Sequence, residues 1–90
     1  MSEAILYGTS GCHLCELAQA LLAQLLAEFD VAQQPCIELV DIADDDALVA
    51  RYGTRIPLLR RVADGVELAW PFEAGQARRL LCGESISGNS

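Results

Sequence analysis

Two cysteines separated by two residues, in the run Gly11-Cys12-His13-Leu14-Cys15, are the part of this 90-residue chain best equipped for chemistry. At the start of a helix the first of them would meet unpaired backbone N–H groups and the positive end of the helix dipole, and both favour a thiolate over a thiol. The thiolate is the reactive species. The second cysteine would lie one turn deeper, close enough to form a disulfide with the first. An exposed nucleophile with a buried resolving partner is what dithiol exchange requires: attack forms a mixed disulfide, and the second thiol releases it. Cys12 is thus expected to be the nucleophile and Cys15 the resolving thiol. His13, the only histidine, would further stabilise a Cys12 thiolate when protonated, whereas Glu16 opposes it; a plain surface histidine is the competing reading.

Other uses of the pair are weighed against this one. A zinc site needs four ligands, and beyond this cluster the chain offers only Cys36 and Cys82, without a second paired spacing. A disulfide framework belongs to secreted domains with poor cores, and this chain is rich in Leu, Ile, Val and Ala. Cys36 and Cys82 are therefore expected to be small core hydrophobes. A metal or iron–sulfur module built on the CxxC pair, across a dimer for example, stays open as the alternative, as does an interaction domain without redox activity.

The elements that must position the pair follow from pattern. Ala4 to Tyr7 is a short apolar run ending in Gly8-Thr9-Ser10-Gly11, a strand followed by a tight loop that delivers Cys12. From His13 onward Leu14, Leu17, Ala18, Leu21, Leu22, Leu25, Leu26 and Phe29 recur at helical spacing and are read as a core-facing stripe. Cys36 to Ile42 is a second strand. Asp44, Asp45 and Asp46 suit the N-terminus of a second helix that Gly53 would end in a left-handed conformation; three consecutive Asp do not make a calcium loop. Leu58 to Val62 and Val66 to Trp70 flank Asp64-Gly65 and form a hairpin, with Val66, Leu68 and Trp70 on one face. Pro71-Phe72 stops that strand, and Glu73 to Cys82 is a final helix with Gly83 just beyond it. The order β-α-β-α-β-β-α makes an α/β fold: strands one and two parallel, the hairpin antiparallel, and helices packed against a mixed four-stranded sheet.

Composition sets the remaining bounds. With 52% hydrophobic and 21% charged residues the chain is one small globular domain, expected over residues 1–83 and followed by a polar tail at 84–90, flexible by composition. A chain of this size buries roughly 60–65% of its unfolded surface, so a functional site lies near the surface. All six basic residues are Arg, against 13 Asp and Glu, a net charge of −7 that disfavours nucleic acid. Leu17 to Ala27 is too short and too interrupted to span a bilayer, and Met-Ser-Glu-Ala is not a secretory signal; a cytoplasmic protein is expected.

Tyr7-Gly8-Thr9-Ser10-Gly11-Cys12-His13-Leu14-Cys15, Tyr52-Gly53-Thr54-Arg55-Ile56-Pro57 and Trp70-Pro71-Phe72 together resemble the glutaredoxin-like family of the thioredoxin fold. The likeness covers nearly all of residues 3–83. The first and third runs are similar in particular to a group of small glutaredoxin-like proteins with a Cys-His-Leu-Cys centre. CxxC alone is a weak mark; CxxC followed roughly 40 residues later by Ile-Pro and a hairpin is a strong one.

The resemblance implies a thioredoxin-like sheet with helices on both faces and a thiol–disulfide oxidoreductase acting in cell redox homeostasis. It also implies a cis Ile56–Pro57 bond beside the cysteines. The Ile56 backbone would then pair with an extended substrate, and Arg55 would attract the carboxylate of glutathione. His13, Arg55, Ile56 and Pro57 are thus the expected substrate-facing residues. The expected partners are protein disulfides or glutathione mixed disulfides, with glutathione as co-substrate, no resident cofactor, and a monomeric chain. The chain departs from the glutaredoxin pattern at Thr9-Ser10-Gly11, where a basic residue is usual, and at Pro71-Phe72-Glu73, where a Gly-Gly turn and an acidic residue are usual. The pair is not Cys-Gly-Pro-Cys, which argues against a general thioredoxin role.

Overall fold

Alternate side chains of a strand face opposite sides of a sheet, so a run such as Ala-Ile-Leu-Tyr can be covered on both. In the computed structural model, which describes residues 2–84, Ala4–Gly8 forms β1 in this way. β1 pairs in parallel with β2 (Ile37–Asp41) and antiparallel with β3 (Leu58–Arg61), which pairs antiparallel with β4 (Glu67–Ala69). The sheet order is β2-β1-β3-β4. Helices α1 (His13–Leu26), α2 (Asp46–Tyr52) and α3 (Ala74–Leu81) complete the expected β-α-β-α-β-β-α succession.

The two faces are covered unequally. Ala4 and Leu6 of β1, Leu59 of β3 and Leu68 of β4 pack with Ala18, Leu22 and Leu25 of α1 and Ala77 and Leu80 of α3. Val66 and Trp70 join this cluster beside Leu68, on the face expected for them. The opposite face holds Tyr7, Leu58, Ile42 and Tyr52, with Ile5, Val40, Leu48 and Ile56 around them, under α2. Each fully buried Leu contributes about 1.5–3 kcal/mol, so the α1/α3 face carries most of the hydrophobic stabilisation.

The phase of α1 differs from the expected stripe. Its buried residues are Cys15, Ala18, Leu22 and Leu25, whereas Leu14 and Leu17 remain 47% and 43% exposed. One residue is a 100° rotation on a helix. Once Cys15 faces the sheet, its neighbours at 14 and 17 are turned to the flank.

Caps and turns follow local chemistry. The Asp45 carboxylate caps α2 by accepting from the N–H groups of Ala47 (2.9 Å) and Leu48 (3.3 Å). Gly53 ends α2 in a right-handed conformation, φ −53°, not the expected left-handed one. Glycine suits the site through close approach: a Cβ there would lie 2.5 Å from the Val49 carbonyl oxygen. α3 begins after Glu73, whose N–H donates to the Gln76 side chain (2.9 Å). In the hairpin Gly65 takes φ +75°, as Asp-Gly predicts, and the turn spans Val62 to Gly65 because Arg61 and Val66 still bond across it.

β3 ends one residue earlier than expected, on a buried arginine. Arg61 donates to both carboxylate oxygens of Asp64 (2.9 and 2.8 Å) and to the carbonyls of Leu80 (3.0 Å) and Glu84 (2.9 Å). It thereby ties the hairpin to the C-terminus of α3, where a cation is favoured. Glu84, with which the expected tail begins, also donates its N–H to the Arg79 carbonyl; residues 85–90 lie outside the described residues.

The two remaining cysteines are a correction. Cys36 and Cys82 are free thiols on the surface, not core residues. Cys36 precedes the edge strand β2, which begins at Ile37, and uses its backbone: its carbonyl accepts from Glu3 and Ala4. Cys82 is the C-cap of α3, two residues past the buried Leu80 and so rotated away from the core.

Candidate active site

The loop after β1 is turned by Gly11, whose φ of +76° lies where glycine is favoured, and it sets Cys12 at the N-cap of α1. Cys12 has extended backbone angles, and its sulfur accepts a hydrogen bond from the N–H of Cys15 at 3.2 Å. The sulfur thus takes the place of the serine or aspartate oxygen that usually caps a helix. Cys12 and Cys15 are joined by a disulfide, with Cα atoms 5.2 Å apart. Their burial differs as dithiol exchange requires: Cys12 is partly exposed and Cys15 only 2% exposed. His13, the first residue of α1, is exposed beside them, as is Glu16 in the same turn.

Topology brings the second expected segment to the same end of the sheet. β1 runs toward Cys12, and antiparallel β3 starts at Leu58 opposite Tyr7, so residues 55–57 and 9–12 leave the sheet together. The Ile56–Pro57 bond is cis and Pro57 is buried; a second cis bond, Trp70–Pro71, was not anticipated. The Pro57 carbonyl accepts from Trp70 N–H (3.0 Å), while Ile56 makes no backbone hydrogen bond with another described residue. Its N–H and C=O thus have no backbone partner among the described residues.

Arg55 is not a free cation. Its guanidinium donates to Glu67 of β4 at 3.0 Å, and the other oxygen of Glu67 accepts from the Tyr52 hydroxyl at 2.9 Å. Tyr52 is itself stacked on Tyr7, ring centroids 4.5 Å apart. Burial, and then the Glu67 contact, hold the Tyr52 phenol above its ordinary value, so it is a donor at neutral pH.

Sequence reasoning missed a cleft of about 260 Å³ beside Cys15, lined in part by Gly8, Thr9, Ser10, Gln19 and Asp41. Asp41 reaches it because β2 runs parallel to β1 and pairs Asp41 with Gly8. Its carboxyl is held below the usual aspartate value, first by the N–H of Ala43. The signal that could have found it is general: the C-terminal ends of parallel strands collect site residues. Among the described residues no three His, Cys, Asp or Glu side chains form a metal-binding group. No helix among them is long and apolar enough to cross a membrane.

A mixed sheet flanked on both faces, with a CxxC disulfide at the first helix and a cis-proline at the start of β3, defines a protein of the thioredoxin-like fold. The family model described as Glutaredoxin-like domain (DUF836) matches residues 3–81, and the chain belongs to that family. A crystal structure of the structural-genomics target protein XcR50 from X. campestris is similar, with 39% identity over 91% of this chain and 99% of that one and a TM-score of 0.72. The solution structure of the same protein gives 38% identity, 97% and 100% coverage and a TM-score of 0.69. Protein Ne2328 from Nitrosomonas europaea, also solved in solution, is 31% identical over 74% of each chain, with a TM-score of 0.61. Among curated proteins no match is found.

Proposed function

We propose that the chain is a thiol–disulfide oxidoreductase acting by dithiol exchange through Cys12 and Cys15. The observation that carries this reading is the asymmetric pair itself: a partly exposed cysteine at a helix N-terminus, disulfide-bonded to a buried one. In the reduced protein the Cys12 thiolate attacks a substrate disulfide, forms a Cys12–substrate bond and expels one substrate thiolate. Cys15, after losing its proton, attacks the Cys12 sulfur and expels the second thiolate. Two electrons pass from the dithiol to the substrate, and the Cys12–Cys15 disulfide remains.

In the reduced protein the N–H of Cys15 and the positive end of the α1 dipole favour the attacking thiolate. The open backbone of Ile56 aligns an extended peptide, and His13 and Arg55 flank it. The substrates are disulfides of proteins or of glutathione, taken up without a resident cofactor by a monomer in the cytoplasm.

The test is trapping. Reduced Cys15→Ser incubated with a peptide disulfide should accumulate a mixed disulfide on Cys12, visible by intact mass, while Cys12→Ser should accumulate none. Because Cys36 and Cys82 are also accessible, both are replaced by Ala throughout. Equal adducts on both variants, or on neither, would exclude the mechanism.

A further inference from the structure

The strand β4, far from the cysteines in sequence, places a carboxylate on the cation that flanks the site. Glu67 is paired with Arg55 at 3.0 Å, with side chains 20% and 46% exposed. The carboxylate is not a mobile surface partner, since the Tyr52 hydroxyl holds its second oxygen at 2.9 Å. Tyr52 is in turn packed in place: it is 1% exposed and stacked on Tyr7. The Arg55 N–H also donates to the Tyr52 carbonyl at 2.8 Å, and its guanidinium lies 6.0 Å from the Tyr52 ring centroid. Both partners of the ion pair are therefore fixed to one buried tyrosine.

We infer that Glu67 is a specificity-determining residue: it occupies Arg55 from within the protein and biases the site against disulfides bearing carboxylates, in favour of neutral or cationic ones. A substrate carboxylate that approaches Arg55 must share a cation already hydrogen-bonded to Glu67 through Nη2, and it meets the negative charge of Glu67 as it does so. A cationic substrate meets no such competition. The inference rests on the proposed dithiol exchange and deepens it by naming the substrate class.

The experiment compares two small disulfides, anionic oxidised glutathione and cationic cystamine. Each reacts with the fully reduced protein, RSSR plus the Cys12/Cys15 dithiol giving two RSH and the Cys12–Cys15 disulfide. The readout is the ratio of the two second-order rate constants. Glu67→Gln keeps the shape and removes the charge; it should raise the glutathione-to-cystamine ratio about fivefold, the scale of one partly exposed charge pair. Glu67→Ala, which lacks the amide's own hydrogen bonds, should raise it similarly. The double variant Arg55→Gln/Glu67→Gln should lose the rise, because the freed cation is gone. Asp30→Asn controls for net charge: it removes one negative charge at the other end of α1 and should leave the ratio within about twofold of the parent protein. A ratio unmoved by both Glu67 variants, or an equal rise in Asp30→Asn, overturns the inference while the redox reading stands. A parent protein inert toward both disulfides overturns the redox reading and the inference with it.

Discussion

Gly8 is the last residue of β1 and lies directly against the resolving cysteine. A Cβ added there would stand 3.1 Å from the Cys15 sulfur and 3.3 Å from its Cβ, tighter than ordinary contact. The backbone at Gly8 is not left-handed, so alanine is free of strain and gains about 0.5–1 kcal/mol through the smaller entropy of the unfolded chain. Against this stands overpacking, about 1–3 kcal/mol where the neighbour cannot move. Cys15 is 2% exposed and held at its sulfur by the disulfide, so it cannot move far while oxidised. Gly8→Ala should therefore destabilise the oxidised protein by about 1 kcal/mol. On reduction the Cys15 side chain can rotate, and the loss should shrink. By linkage the disulfide becomes easier to reduce, by up to about 30 mV for each 1.4 kcal/mol of difference between the two states. Urea unfolding of both redox states measures the first quantity, and equilibration with glutathione buffers measures the second. A Gly8→Ala protein equally destabilised in the two states, or the same loss in a Cys15→Ala background, would refute the contact argument.

Two further outcomes concern the hairpin. Arg61→Met keeps the buried stem but removes the hydrogen bonds to the Leu80 and Glu84 carbonyls; it should cost about 2–3 kcal/mol by urea unfolding, and a loss below about 1 kcal/mol would contradict the node. The Arg61 guanidinium holds the Asp64 carboxyl down to about 2, below the 3.8 of an unperturbed aspartate. A depressed folded-state pKa means the folded protein binds this proton less readily than the unfolded chain. Its stabilisation is complete above about pH 4 and is lost as pH falls toward 2. Asp64→Asn should flatten that acid limb of the urea midpoint against pH, and an unchanged limb would refute the assignment.

The pair at Cys12 and Cys15 was legible because its chemistry is local: a turn, a cap and a disulfide all lie within one helical turn of contiguous sequence. The order of elements was legible for the same reason, through Gly11, Asp45, Gly65 and Glu73 at their ends. What escaped depended on pairing between distant strands. Asp41 reaches the cleft only through its register with Gly8, and Glu67 reaches Arg55 only because β4 folds back on β3. The errors have a second cause. Apolar periodicity sets a helix face only to within about one residue, which is enough to turn Leu14 and Leu17 off the buried side. The general tendency of cysteine to be buried was overridden at Cys36 and Cys82 by their places at an edge-strand start and a helix C-cap.

The charge balance also takes a different meaning once the folded arrangement is known. On a chain of net charge −7 with six arginines and no lysine, Arg55 looks like the natural anchor for an anionic thiol. Yet three of those arginines are paired with carboxylates of the same chain: Arg55 with Glu67, Arg61 with Asp64, and Arg78 with Glu28 at 3.0 Å while lying over the Phe29 ring. An exposed ion pair is worth little to stability, so the Arg55–Glu67 pair contributes little in that respect. Its proposed effect is at the site, where it turns a lone cation into a neutral pair near Ile56. On the proposed function, recognition there rests on main-chain pairing, which is indifferent to substrate charge, and on exclusion of carboxylates, which is not. On that proposal extended peptide disulfides are favoured over a small anionic thiol, consistent with the absence of a basic residue from Thr9-Ser10-Gly11 ahead of Cys12.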